Sequence, residues 1–172
     1  FAGQLDLFSA ADFSFTRRRR SARHTLREVS LRDVHPPLRQ DLSRLEQVAY
    51  GAALVEQTTE AGTPLPEIHA LFSGFLRFVT HHPHKPRHVF AFELKLLHLL
   101  GLEPDLPESR LPVPARTLMA TLLTADWPAM DALQATANEA RAVQQFLHGF
   151  LLYHLGRIPK NRGAALRQDT SA

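Results

Sequence analysis

The segment from Val89 to Leu100 constrains the fold most, because its own apolar side chains would face nearly every side of a helix. It is long enough for about three helical turns, and Gly101 follows it, as is typical after the last turn of a helix. A helix that is apolar on all sides needs neighbours on all sides. We therefore predict that this helix lies at the centre of a helical bundle.

A carboxylate inside this helix, that of Glu93, needs a partner, and we expect a structural ion pair.

The sequence after Pro36 and Pro37 is patterned for helix, with apolar residues recurring at the helical period. Prolines are tolerated in a first helical turn, and Thr136 and Glu139 have capping-box spacing ahead of the last long helix. Residues 102–114 contain four prolines and no period, which predicts a loop. The predicted fold class is mainly α, a bundle of five or six helices preceded by a partial β segment. The further apolar stripes run from Leu38 through Leu42 to Ala52, from Ile68 to Val79, from Leu118 to Leu123 and from Ala140 to Leu151.

Residues 1–35 are patterned for β structure. Asp12–Thr16 and His24–Arg32 alternate apolar and polar residues, which predicts a hairpin. A lone hairpin is marginally stable, so we expect Phe13 and Phe15 to be buried against further strands or a helical neighbour. Because the hairpin needs a further layer to bury these rings, and because the sequence lacks an initiator Met, we expect that upstream residues are missing. The alternative for the two rings is stacking on nucleic-acid bases.

Arginines cluster between the two predicted strands. Residues 1–40 hold eight Arg against four acids, whereas residues 41–70 hold one Arg against five acids. Guanidinium groups in a turn can each bind a phosphate and release counterions, which favours a sequence-independent DNA contact. The alternative is an exposed charged turn that protects a sheet edge. The candidate DNA-binding residues are Arg17, Arg18, Arg19, Arg20 and Arg23.

The histidine-rich tract His81–His88 raises the possibility of a metal site, since imidazoles at such spacing can ligate zinc or nickel. Two prolines and two cations lie among the histidines, and cations oppose metal binding. We interpret the tract as a polar loop between helices. No nucleotide-binding loop, nucleophile elbow or metalloprotease motif occurs in the chain. The sequence therefore predicts a binding protein with no catalytic residues, metal or cofactor.

Composition narrows the setting of the protein. The chain has 172 residues, a net charge of +3 and no cysteine, which excludes disulfides and thiolate metal ligands. No apolar run approaches the roughly 20 residues of a membrane helix, and residues 1–6 lack the pattern of a signal peptide. These features lead us to expect a cytoplasmic protein without membrane contact.

Three segments resemble the family of the bacterial DNA repair protein RecO. Gly3–Phe8 is similar to the entry into the late strands of that family's N-terminal OB fold. Phe90–Leu106 is similar to its "FEL-x-LL-x-x-LG-x-x-P" helix, and Leu151–Arg162 to its "YHLG…KSR" close. The resemblance implies that residues 1–35 are the C-terminal part of an OB-fold-like β domain and that residues 36–172 are a RecO-like helical domain.

The resemblance also implies a recombination mediator of the RecF pathway, located with the bacterial nucleoid. Such a protein binds single- and double-stranded DNA, anneals strands, binds RecR and helps to load RecA onto DNA coated by single-strand-binding protein (SSB). Many family members carry a four-cysteine zinc module after the "LG-x-x-P" helix, whereas this chain has a short cysteine-free loop, so no zinc is expected. The rival hypothesis is a helical protein-interaction module that does not bind DNA.

The resemblance further implies that the helical domain binds the acidic, hydrophobic C-terminal tail of SSB, which requires an apolar groove with cations at its rim. Our hypothesis places Arg87 and Lys95 at the rim, with Phe92 and Leu96 as the apolar floor.

Overall fold

The computed structural model describes residues 6–17 and 23–167. In these ranges an antiparallel two-stranded hairpin precedes seven α-helices and one short 3-10 helix. None of the described helices has the length and apolar character needed to cross a membrane. The elements in chain order are β1 Ala10–Thr16, β2 Thr25–Asp33, α1 Pro36–Arg39, α2 Leu42–Thr58, α3 Pro66–His81, α4 Pro86–Leu99, α5 Val113–Thr124, the 3-10 helix Pro128–Met130, α6 Ala137–Leu155 and α7 Arg162–Ala165.

Helix α4 lies at the centre of the bundle, as its apolar sequence predicts. It packs against α2, α3, α5 and α6, and nine of its 14 residues are buried. Because the helix is covered on several sides, even its one carboxylate, Glu93, is fully buried. The predicted fold class, a mainly α bundle after a partial β segment, is confirmed.

Local sequence signals set several helix ends. The Thr136 hydroxyl accepts a hydrogen bond from the Glu139 backbone N–H at 3.3 Å, and the Glu139 carboxylate accepts one from the Thr136 N–H at 2.7 Å. This is the predicted capping box, and it starts α6. Gly101 and Gly156 follow the last turns of α4 and α6 with φ of 71°, a conformation that favours glycine.

Two predictions on the helices need correction. The stripe from Leu38 to Ala52 is interrupted, because the Asp41 side chain accepts a hydrogen bond from the Arg44 N–H and starts α2 separately from α1. Leu42, predicted to be buried, is therefore 69% exposed. The predicted loop 102–114 ends two residues sooner, because α5 begins at Val113 and takes Pro114 into its first turn.

The β region forms the predicted hairpin, but its apolar face is not buried by the other described residues as predicted. Phe13 pairs with Val29, and Phe15 pairs with Leu26, so these four side chains share one face. Phe13 is 62% exposed and Phe15 is 49% exposed. The expectation that both rings are buried is wrong for this structure. The hairpin ends at Asp33 and α1 begins at Pro36, while the assignment of residues 1–35 and 36–172 to two domains stays a prediction.

Candidate functional site

The predicted DNA-binding arginines lie at the connection between β1 and β2. Arg17 follows β1 directly and Arg23 comes two residues before β2, and both are exposed. Their neighbours Arg18, Arg19 and Arg20 lie outside the described residues. The structure thus places both described members of the cluster at one end of the hairpin, and DNA binding by all five stays a prediction.

The other two arginines of the hairpin have partners within the sheet. The Arg27 Nε donates to the Thr16 hydroxyl at 2.8 Å. The Arg32 Nε donates to the Asp12 carboxylate at 2.5 Å, in an ion pair whose side chains are both more than half exposed. These contacts stabilise the hairpin register, and exposed pairs of this kind contribute about 0–1 kcal/mol.

An aromatic cluster occupies the opposite face of the hairpin. The ring centroids of Phe13 and Phe15 are 5.9 Å apart with an interplanar angle of 35°. His24 stacks on Phe15, with centroids 5.4 Å apart and planes 12° from parallel. We call these three side chains the aromatic face. The sequence predicted the two phenylalanines on one side of a strand, but not His24, which reaches Phe15 only when the hairpin closes.

Arg87 and Lys95, predicted to bind the SSB tail, lie on α4 beside the connection from α5 to α6. The Arg87 guanidinium donates to the carbonyls of Met130 and Asp131 at 3.0 and 3.2 Å. The Lys95 Nζ donates to the Leu123 carbonyl, near the C-terminus of α5, at 2.6 Å. Partial burial lowers the pKa of both side chains. Both cations thus donate hydrogen bonds to backbone carbonyls near the C-termini of α5 and the 3-10 helix, where carbonyls lack helical N–H partners.

Phe92 and Leu96, predicted as the apolar floor, lie in the core. They are 0% and 1% exposed, and Phe92 stacks on Phe75 with ring centroids 4.6 Å apart. In this structure they support α4 from inside and do not line an open groove. The surface roles of Arg87 and Lys95 stay predictions.

An open apolar groove lies elsewhere, between α2 and α3. Its volume is about 400 Å³, and Val55, Ile68 and Phe72 contribute to its walls, with Glu56 and His69 as charged or titratable lining residues. None of the four predicted partner-binding residues lines it. The hydropathy pattern did not indicate this groove, because its walls come from two helices that the chain brings together only on folding.

Glu93 has the structural partner that its sequence context predicts. Its two carboxylate oxygens accept hydrogen bonds from the Nε and a terminal nitrogen of Arg162 at 2.7 and 2.9 Å. The Tyr50 hydroxyl donates to the same carboxylate at 2.6 Å, and burial together with the Glu93 charge raises the pKa of Tyr50. Every charge in this cluster is used inside the fold, so its geometry indicates a structural role.

The histidine-rich tract is divided among separate contacts. His82 lies 3.1 Å from the Asp131 carboxylate, and the His84 ring bonds the Ala165 carbonyl at 3.1 Å. His88 is fully buried in α4, and within the described part of the chain neither ring nitrogen has a hydrogen-bond partner. Burial, with the nearby cation Arg87, lowers the pKa of His88 to about 3. Over residues 6–17 and 23–167, no three His, Asp or Glu side chains form a possible metal site.

Comparison with known proteins identifies the central helices. Residues 39–109 match the family model described as "Recombination protein O C terminal". This part of the helical region is similar to the RecO family. A curated relative, the DNA repair protein RecO of Pelobacter propionicus, is 32% identical over 81 residues, which cover 47% of this chain and 33% of the relative.

The RecO match is confined to part of the bundle. It extends from the end of α1 through α2, α3 and α4 into the following loop, and so includes Arg87 and Lys95. The β hairpin with its arginines, and α5 to α7, lie outside it. The aligned region spans about a third of the length of the curated RecO relative.

Proposed function

We propose that this protein is a non-enzymatic, DNA-binding mediator of recombinational repair. The single observation that carries the proposal is the match of α2 to α4 to the RecO C-terminal domain. Its curated relative is named as a DNA repair protein. The cationic segment of the sequence supplies a physical means of binding DNA.

The DNA-binding part of the proposal rests on charge. Four consecutive arginines repel one another, and phosphates relieve that repulsion while counterions are released. Arg17 and Arg23, at the two ends of the connection, are both exposed. The proposed DNA contact therefore comprises Arg17, Arg18, Arg19, Arg20 and Arg23.

The protein-binding part of the proposal rests on the RecO relationship. We propose that the helical region binds RecR and the acidic C-terminal tail of SSB, and that the protein promotes strand annealing and RecA loading. Arg87 and Lys95 are half-buried on the matched helix α4, so an acidic peptide beside them would meet two cations close to the apolar core.

Salt-dependent binding to labelled oligonucleotides tests the DNA contact. Substituting Gln for the four residues Arg17–Arg20 should weaken DNA binding. It should also make the negative slope of log affinity against log salt less steep, by up to about 3 for single strands. A control with the same charge change replaces four exposed arginines of the helical region, Arg77, Arg110, Arg141 and Arg157. If the native protein binds no oligonucleotide at low salt, the rival helical interaction module is the better description.

Peptide titration tests the partner site. Arg87→Gln and Lys95→Gln should each weaken binding of a fluorescent SSB-tail peptide, whereas Arg77→Gln, an exposed change on α3, should not. Unchanged affinity in both variants would remove Arg87 and Lys95 from the site. Circular dichroism on each variant separates lost binding from lost folding, because both cations also bind backbone carbonyls.

A further inference from the structure

We propose that the apolar groove between α2 and α3 binds an amphipathic helix of a partner protein, with lysine or arginine on the polar side of that helix. This site is distinct from the proposed DNA contact and from the proposed site of the acidic SSB tail. The inference goes beyond the proposed function, and either can fail without the other.

The walls of the groove are two helical stripes. The residues that line it recur at intervals of three and four positions, from Ala52 to Thr59 on α2 and from Leu65 to Phe72 at the start of α3. Residues at this spacing lie on one side of a helix. Because α2 and α3 pack against each other, the two stripes border one open space. A third helix, with its own apolar residues at the same spacing, is the occupant that fits between them.

The apolar wall is already formed. Ile68 is 5% exposed, and the Phe72 ring meets Phe92 of the core edge to face, with centroids 6.2 Å apart. The open volume of about 400 Å³ lies within the roughly 300–1,000 Å³ of typical ligand pockets. An apolar side chain can therefore enter without opening the core, which reduces the free-energy cost of binding.

The groove lies away from the hairpin. All its lining residues belong to the segment 52–72, which is inside the region matched to the RecO C-terminal model. The chain enters α2 at Leu42, and Val55 is about 20 Å further along the helix axis. The entry of the chain into the bundle therefore leaves this end of the α2–α3 pair open.

The charge around the groove favours a cationic partner. Glu56 lines it and is exposed, and Glu60 and Glu67 are exposed directly beside lining residues. Among the residues that line the groove, His69 alone can become positive.

The helix ends add to this charge. The last turn of α2 has no basic residue, so no cation of that turn neutralises the negative end of the helix dipole. Glu67, in the first turn of α3, offsets the positive end of that helix. The chain as a whole has a net charge of +3, so this acidic rim is a local feature. It attracts lysine and arginine side chains and repels acidic peptides and phosphates.

Fluorescence anisotropy with the full chain and three labelled peptides tests the inference. Each peptide has about 15 residues, enough for four helical turns. The first has leucine and phenylalanine at helical spacing and lysine at its polar positions. In the second glutamate replaces the lysines, and in the third serine replaces the apolar residues. The lysine peptide with the apolar stripe should bind about tenfold or more tighter than the serine peptide.

Two pairs of variants assign this binding to the groove. Ala52→Leu fills part of the space and should lower affinity for the lysine peptide about tenfold, with no effect on the glutamate peptide. Ala70→Leu is its control, because Ala70 is exposed on α3 and does not line the groove. Glu56→Lys should weaken the lysine peptide about fivefold to tenfold. Its control is Glu108→Lys, an exposed change in the loop after α4. Circular dichroism checks that each variant folds.

The outcomes separate the possible occupants. Weaker binding of the lysine peptide in Ala52→Leu and Glu56→Lys, with both controls unchanged, supports the inference. Absence of lysine-peptide binding at low salt, or an unchanged affinity in Glu56→Lys, overturns it. If Ala52→Leu instead weakens the glutamate peptide, the groove is a site for acidic tails and the inference is wrong.

A second copy of this chain is the remaining alternative. If light scattering shows a dimer that Ala52→Leu dissociates, the groove is a contact between copies and the inference is overturned. Oligonucleotide binding should be equal in the native protein and in Ala52→Leu, so failure of the proposed DNA binding is recognised separately.

Discussion

Arg162→Met would test how the C-terminal helix α7 is held to the bundle. The Arg162 guanidinium forms two hydrogen bonds with the Glu93 carboxylate, and the two side chains are 7% and 0% exposed. Methionine fills much of the same volume without charge. The substitution therefore leaves the Glu93 carboxylate buried with only the Tyr50 hydroxyl as a described partner.

The size of the effect follows from this burial. Removing one partner of a buried ion pair costs about 3–5 kcal/mol, because the remaining charge has lost its compensation in a medium of low polarity. With a urea m-value of about 2 kcal/mol/M, the unfolding midpoint should fall by roughly 1.5–2.5 M. Adding Glu93→Gln should restore at least half of the loss, since glutamine has no charge and still accepts the Tyr50 hydrogen bond.

Urea unfolding followed by circular dichroism measures these free energies of unfolding. Arg167→Met is the matched control, because Arg167 lies five residues further along and pairs with Glu46 at 2.5 Å while its side chain is 67% exposed. Loss of that surface pair should cost less than about 1 kcal/mol. If Arg162→Met costs no more than Arg167→Met, or if Glu93→Gln adds to the loss, a structural role for the buried ion pair is refuted.

Four further substitutions have directional outcomes. Below pH 6.5 the His88 ring binds a proton in the unfolded chain but not in the folded protein. The free energy of unfolding should therefore fall by up to about 1.4 kcal/mol per pH unit as the pH drops from about 6.5 toward 3. His88→Leu should remove this pH-dependent component, as measured by urea titrations at several pH values. Gly74→Ala should lower the melting temperature, because its Cβ would lie 2.7 Å from the Trp127 indole nitrogen, whereas Gly149→Ala meets no atom and should raise it. Thr136→Ala removes the α6 cap and should cost about 1 kcal/mol, and a cost near zero in urea unfolding would contradict the capping role.

Short-range patterns predicted much of the bundle. The capping box at Thr136 depends on residues three positions apart, and the end of α4 at Gly101 depends on the backbone freedom of one residue. Such features are visible in sequence because the interacting groups are neighbours in the chain. The same short range explains the missed break at Asp41, where a local cap overrode a longer apolar period.

The candidate sites were less predictable, because they combine distant residues. Glu93 was expected to have a partner, but Arg162 is 69 positions away and no local pattern identifies it. Phe92 and Leu96 share α4 with the surface cations Arg87 and Lys95, and only the packing of neighbouring helices decides that both apolar residues are buried.

The sequence alone determined the helical bundle, the β hairpin and the clustering of arginines between its strands, because propensity, periodicity and charge are properties of neighbouring residues. Tertiary structure decided that Phe13 and Phe15 are exposed, that His24 joins them, and that Arg162 neutralises Glu93. Burial and ion pairing depend on which surfaces meet in three dimensions, and that depends on how all the elements pack together.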